Sequence, residues 1–307
     1  MRIGVQNRLV TPQPIDYGVV RNLCTALCGR YTILRPAMVG RSVLGREIPA
    51  LMLSAGDAGP AVLMAAAFHG QEWLTTLCAL RLCEELCAAQ RARTSLCGIP
   101  IDKALRDRQI WCVPLVNPDG VEIARYGSSA AGAYAASAAA AGADIPGVWQ
   151  TNARGVDINH NFNAGWAQMQ ELARKNGKIS PGRRYYSGPE PESEPETRAL
   201  TELCRRYDFR HVVALHSQGE EIYWSYGHHT PPQSRIMARV LGLASGYAVA
   251  QPREMATHGG FKDWFIDRYH RPGFTLEMGR GSNPLPLTCF EEIYRKAREM
   301  LVLSVLL

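Results

Sequence analysis

Apolar positions along this chain alternate between two spacings. The most continuous stretch, Ala61-Val-Leu-Met-Ala-Ala-Ala-Phe68, holds no polar residue and mixes small with branched side chains. It predicts a strand buried on both faces of a sheet. Gln109–Val116, His211–His216 and Gly273–Met278 are shorter stretches of the same kind. Tyr31–Met38 and Ile48–Leu53 read as strands joined through the Gly-containing link Val39–Gly45, and Glu221–Tyr226 as a returning strand. Helical spacing is clear in 17–30, where Val20, Leu23, Cys24, Leu27 and Cys28 share one face, and in 74–89, with Leu77, Cys78, Leu82 and Leu86. Further helices are expected at about 194–207 (Ser193 as its cap), 231–247, 261–269 and 287–307. Gly56–Pro60 reads as a loop and Asn117-Pro-Asp-Gly120 as a turn. Strands alternating with helices predict an α/β fold around a mostly parallel sheet.

Composition changes this picture little. With 307 residues, 46% hydrophobic and 20% charged, the chain reads as one catalytic domain over 1–307. Residues 128–147 are rich in Ala, Gly and Ser and are expected to be a surface insertion or mobile loop. The net charge is +6, but Lys and Arg are scattered without a basic tract, so no nucleic-acid partner is expected. No apolar run is long enough for a membrane span, and Met1–Arg8 carries no apolar signal core. The nine cysteines sit in apolar patterns without Cys-x-x-Cys pairs. They read as buried thiols of a reducing cytoplasm.

Chemistry in such sheets collects at the carboxyl ends of strands. His69 and Glu72 follow the 61–68 run, His216 ends another strand, and Glu277 lies near the end of a third. An imidazole and a carboxylate three residues apart suit Zn²⁺. They also suit a histidine bonded at a strand end beside a glutamate in a helix's first turn.

The ordered series Phe68-His-Gly-Gln-Glu72, Asn117-Pro-Asp-Gly120, Gly155-Val-Asp-Ile-Asn-His-Asn-Phe162, Leu215-His-Ser217 and Phe274-Thr-Leu-Glu277 resembles the zinc carboxypeptidase family. Within it, His216-Ser-Gln-Gly-Glu-Glu-Ile-Tyr-Trp224 and Ser193-Glu-Pro-Glu-Thr197 resemble the bacterial γ-D-glutamyl-diaminopimelate peptidase branch. The resemblance implies a mixed eight-stranded sheet flanked by helices and one zinc ion held by His69, Glu72 and His216. It implies that the zinc lowers the pKa of water at an open position, with Glu277 as general base. Arg154 is a candidate oxyanion partner.

Asn159-His160 stands where the family has Asn-Arg, and Met255 where it has a tyrosine. Histidine lacks the bidentate fork of arginine, so recognition of a terminal carboxylate is altered. Thr257-His-Gly-Gly-Phe-Lys-Asp-Trp264 resembles the specificity loop and puts Lys262 at the pocket floor. Asn159, His160 and Lys262 are therefore the expected substrate-binding residues. Three readings follow: a zinc peptidase acting on murein peptides, a metallocarboxypeptidase of broad specificity, and a catalytically inactive peptide-binding module.

Overall fold

A computed structural model describes residues 8–56 and 59–307, so Met1–Asn7 of the N-terminal segment lies outside it. Eight strands form one sheet: β1 (Leu34–Arg41), β2 (Glu47–Ser54), β3 (Ala61–Ala66), β4 (Gln109–Val113), β5 (Phe209–His216), β6 (Glu221–Tyr223), β7 (Ala248–Ala250) and β8 (Gly273–Glu277). Their spatial order is β1-β2-β4-β3-β5-β8-β6-β7. The central block β4-β3-β5-β8 is parallel, β1 and β2 join antiparallel at one side, and β6 runs antiparallel to β8. The sheet is thus mixed, and its parallel middle is covered on both faces, as crossover helices require.

β3 shows how. Val62, Met64 and Ala66 enter one apolar cluster with α1 (Tyr17–Arg30), α2 (Leu74–Ala92), and the later α7 (Gln233–Ser245) and α9 (Phe290–Leu306). Ala61, Leu63 and Ala65 enter the other, with α6 (Pro195–Arg206) and α8 (Phe261–Tyr269). The period of two sends alternate residues to opposite faces. A fully buried side chain such as Leu63 contributes about 1.5–3 kcal/mol.

Several boundaries differ from the pattern. β3 stops at Ala66 because Ala67 takes a positive φ of 53° and turns the chain. Asn117-Pro-Asp-Gly120 is not a free turn but the start of α3 (Pro118–Tyr126). The Asn117 side chain caps Gly120 N, and the proline occupies the first turn, where its missing donor costs nothing. Ser193 does not cap α6. Glu194 is the cap residue and makes no side-chain cap bond, while the Ser193 hydroxyl donates to Glu194 Oε1 at 2.9 Å. Residues 128–147 are ordered: a 3₁₀ turn Ser128–Tyr134 leads into α4 (Ala135–Ala140), with α5 (Trp166–Lys175) further on. Ala131, Ala138 and Ala143 pack with Ile123, Trp149 and Ala153 in a third small core. Helical propensity and a bulky neighbour, Trp149, win over the loop reading.

Among the described residues no helix is long and apolar enough to cross a membrane. All nine cysteines are free thiols.

Candidate metal centre

The site forms where β3 and β5 end. After Ala67, residues 69–72 make a tight turn that carries His69 and Glu72 inward. Its backbone is tied from outside. Gly70 N donates to Gln150 O at 2.9 Å, and Asn117 Nδ2 donates to Phe68 O at 3.0 Å. Position 70 must be glycine, since a Cβ there would come within 2.1 Å of Gly120 O. The Asn117 motif is therefore a clasp on the turn rather than a participant in chemistry.

Three donors converge. His69 Nδ1 lies 2.8 Å from Glu72 Oε1, and His216 Nδ1 lies 3.0 Å from Glu72 Oε2. All three ligand atoms fall within 4.8 Å of one another, and all three residues are buried. Zn–N and Zn–O bonds near 2 Å place tetrahedral ligands about 3.3 Å apart, so this set needs only slight spreading to take a cation. The ring of His69 is held by its second nitrogen: Nε2 lies 3.1 Å from Asp157 Oδ1. That leaves Nδ1 for the metal, as a supporting carboxylate does for ligating histidines. His216 is held differently. Its ring stacks on Phe68 with centroids 5.0 Å apart, and its Nε2 is buried without a hydrogen-bond partner. The residues fit a zinc ion with an open position.

The electrostatics agree with the geometry. Burial disfavours a charged His69, but the Glu72 and Asp157 carboxylates outweigh it and hold the imidazole well above its usual value. Burial, partly offset by Glu72, keeps His216 below its own. Glu72 is drawn down to about 2 because His69 and His216 overcome its desolvation. Asp157 is likewise held far below the carboxylate range by His69 against burial. Glu277 moves the other way: burial, then the Glu72 charge, push it well up. Glu277 is the register partner of His216 across β8 and β5, so it lines the same cleft of about 250 Å³.

The remaining expected residues divide. Asn159, His160 and Lys262 line the cleft. Asn159 Oδ1 accepts from Phe261 N at 3.1 Å, and His160 Nδ1 donates to His258 O at 2.9 Å. Lys262 is 4% exposed; its ammonium donates to Ser225 O at 2.8 Å and pairs with Asp263. Its charge is thus half of a buried ion pair rather than a lone cation. Arg154 does not line the cleft. Asn152 Oδ1 accepts from both Arg154 N and Val156 N. This small turn, with Gly155 at φ +74°, points the guanidinium to Tyr134 and Glu194. Met255 takes a bond from Asn176 Nδ2 at 3.4 Å on the exposed side.

The cleft residues not anticipated include Asp157, Gln150, Tyr185 and Asn283. Asp157 sits inside the Gly155–Phe162 motif, two residues before Asn159, and was findable there. Asn283 Nδ2 donates to Ser217 O at 2.6 Å, bracing the residue after His216. Its Asn-Pro pair repeats the signal of Asn117-Pro118, but nothing local connects it to the site.

Residues 22–302 match the zinc carboxypeptidase family. The chain is 34% identical over 293 residues to the gamma-D-glutamyl-L-diamino acid endopeptidase 1 of Lysinibacillus sphaericus, covering 94% of this chain and 72% of that protein. Its fold superposes on thrombin activatable fibrinolysis inhibitor with a TM-score of 0.76 at 17% identity, over 98% of this chain and 77% of that one. It superposes on a murein-tripeptide amidase from Escherichia coli O157 with a TM-score of 0.50 at 23% identity, over 86% and 91%. A family match over most of the chain, with a donor set that fits one zinc, makes this chain a member of the zinc carboxypeptidase family and a zinc metallopeptidase.

Proposed function

We propose that this peptidase hydrolyses the γ-D-glutamyl–meso-diaminopimelate amide bond in murein-derived peptides. The observation that carries the reading is the buried Lys262–Asp263 pair in the cleft. Diaminopimelate ends in a carboxylate beside an ammonium. A fixed positive and negative charge side by side complement such an end, carboxylate toward Lys262 and ammonium toward Asp263. The relative in Lysinibacillus, whose name specifies a γ-D-glutamyl–diamino acid bond, supports the same class. His160 and Met255 in place of the family's arginine and tyrosine argue against broad removal of C-terminal residues, since neither makes a bidentate bond to a carboxylate.

His69, Glu72 and His216 would hold the zinc, which supplies water of lowered pKa and polarises the scissile carbonyl. Glu277 would accept the proton of the attacking water and deliver it to the leaving nitrogen as the C–N bond breaks. Asp157 would keep His69 oriented, and Asn159 and His160 would bond polar atoms near the cut. The free thiols suit a cytoplasmic enzyme working on recycled fragments.

Incubation with L-Ala-γ-D-Glu-meso-diaminopimelate, with products read by mass, tests this. L-Ala-D-Glu and free diaminopimelate are expected. An intact tripeptide alongside trimming of unrelated peptides would favour the carboxypeptidase reading.

A further inference from the structure

Most polar groups lining the cleft already have partners in the protein: Lys262 has Asp263, and Asn159 has Phe261 N. Gln150 and Tyr185 differ. Gln150 Oε1 is buried with no hydrogen-bond partner. The Tyr185 hydroxyl meets none among the described residues, although its backbone and ring are engaged. Unpartnered polar atoms at such a place call for a ligand or a bound water.

The backbones beneath these side chains are laced together. Gln150 N donates to Arg183 O at 3.0 Å, and Asp157 N to Tyr186 O at 2.7 Å. Tyr185 N donates to Asp157 Oδ2 at 3.1 Å. The same carboxylate thus fixes His69 through one oxygen and the Tyr185 loop of the wall through the other. Tyr185 also holds φ at +70°, which is uncommon and costly for a bulky side chain. A backbone conformation that favours glycine carries a tyrosine here, and the ring lies 6.0 Å from His160 in the cleft. Rigid backbone, strain and two spare polar heads together describe a subsite prepared for something outside the chain.

We infer that Gln150 and Tyr185 form an uncharged subsite that hydrogen-bonds a peptide group of the substrate beside the metal centre. An amide and a phenol together offer donors and acceptors but no charge, which matches the N–H and C=O of a peptide unit rather than a carboxylate. The inference rests on peptide hydrolysis itself and not on which peptide is cut.

The test is steady-state hydrolysis by the zinc-loaded enzyme and its variants Gln150→Ala, Tyr185→Phe and Tyr185→Gly. Two substrates are used, L-Ala-γ-D-Glu-meso-diaminopimelate and an N-acyl dipeptide, with zinc content and Tm measured on each protein. Gln150→Ala and Tyr185→Phe should each raise KM roughly three- to tenfold on any substrate that is cleaved, the loss expected for one neutral hydrogen bond. Their kcat should stay within about twofold, the signature of lost binding that is uniform along the reaction. Tyr185→Gly should raise KM at least as much while keeping or raising Tm, because glycine relieves the strain. Unchanged KM on both substrates, or a loss that follows zinc content, overturns the subsite. A lower Tm in Tyr185→Gly shows the ring is kept for packing and overturns the assignment of Tyr185. Cleavage of the N-acyl dipeptide alone would refute the murein reading and leave the subsite to stand or fall on its KM shifts. Cleavage of neither would overturn both.

Discussion

Asp157 touches no ligand atom that faces the metal position, yet its Oδ1 lies 3.1 Å from His69 Nε2 and decides which nitrogen of that ring is free. Supporting carboxylates of this kind contribute about 10–100-fold to metal affinity. Asp157→Ala should therefore bind zinc about 10–100-fold more weakly in competition with a chelator. His69→Ala and His216→Ala should lose it outright, having too few ligands left. Far-ultraviolet circular dichroism should stay parent-like in all three. Parent-level affinity in Asp157→Ala would remove this residue from the site.

Glu277→Gln should keep zinc and substrate binding and lose about 10²–10⁴ in kcat. Glutamine preserves shape and cannot accept the proton. The measurement is single-turnover hydrolysis with zinc content checked by emission spectroscopy. Turnover within threefold of the parent would show that another group is the base.

Lys262→Ala should weaken kcat/KM for the diaminopimelate tripeptide by about 1–3 kcal/mol, the cost of losing a hydrogen bond to a charged group. The analogue with lysine in place of diaminopimelate lacks the distal carboxylate and should change much less. The ratio of the two substrates separates recognition from damage, because removing one member of a buried ion pair also strains Asp263. Equal losses on both would mean the lysine serves its neighbour alone.

His211 supplies a pH prediction remote from the zinc. It is 1% exposed on β5, and its Nε2 donates to Ser304 O of α9 at 2.7 Å. Burial, against that bond, lowers its pKa to about 4 from 6.5. The unfolded chain takes up this proton near pH 6.5 and the folded one only near 4, so between those values the unfolded state binds more protons. Stability should rise with pH across this window and be lost as pH falls through it, by about 3 kcal/mol at most. Urea titrations at pH 7.5 and 4.5 should show a smaller difference for His211→Gln than for the parent. An identical difference would mean that other groups carry the acid sensitivity.

The strand ends carrying His69, Glu72, His216 and Glu277 were legible because buried parallel strands are written as unbroken apolar runs, and each run stops at its polar residue. Short edge strands were less so: Ala248–Ala250 carries no strand signal, because three residues have no measurable period. The Ala/Gly segment misled because its packing depends on Trp149, beyond its own sequence. Gln150, Tyr185 and Asn283 come from loops, where polar residues show no periodicity and only the fold reveals which way they face. Arg154 fails for that reason too, since its neighbours 150 and 157 line the cleft while its own side chain turns away.

The order of strands also has a temporal meaning. β5 lies between β3 and β8, and Glu72 and His216 stand 144 residues apart in sequence. During synthesis His69 and Glu72 emerge long before their third donor exists, and two ligands cannot retain zinc as three do. Bringing the third donor to the first two closes the long loop between them, at an entropic cost that grows slowly with its length. Full three-donor coordination thus belongs to a chain whose central strands are paired.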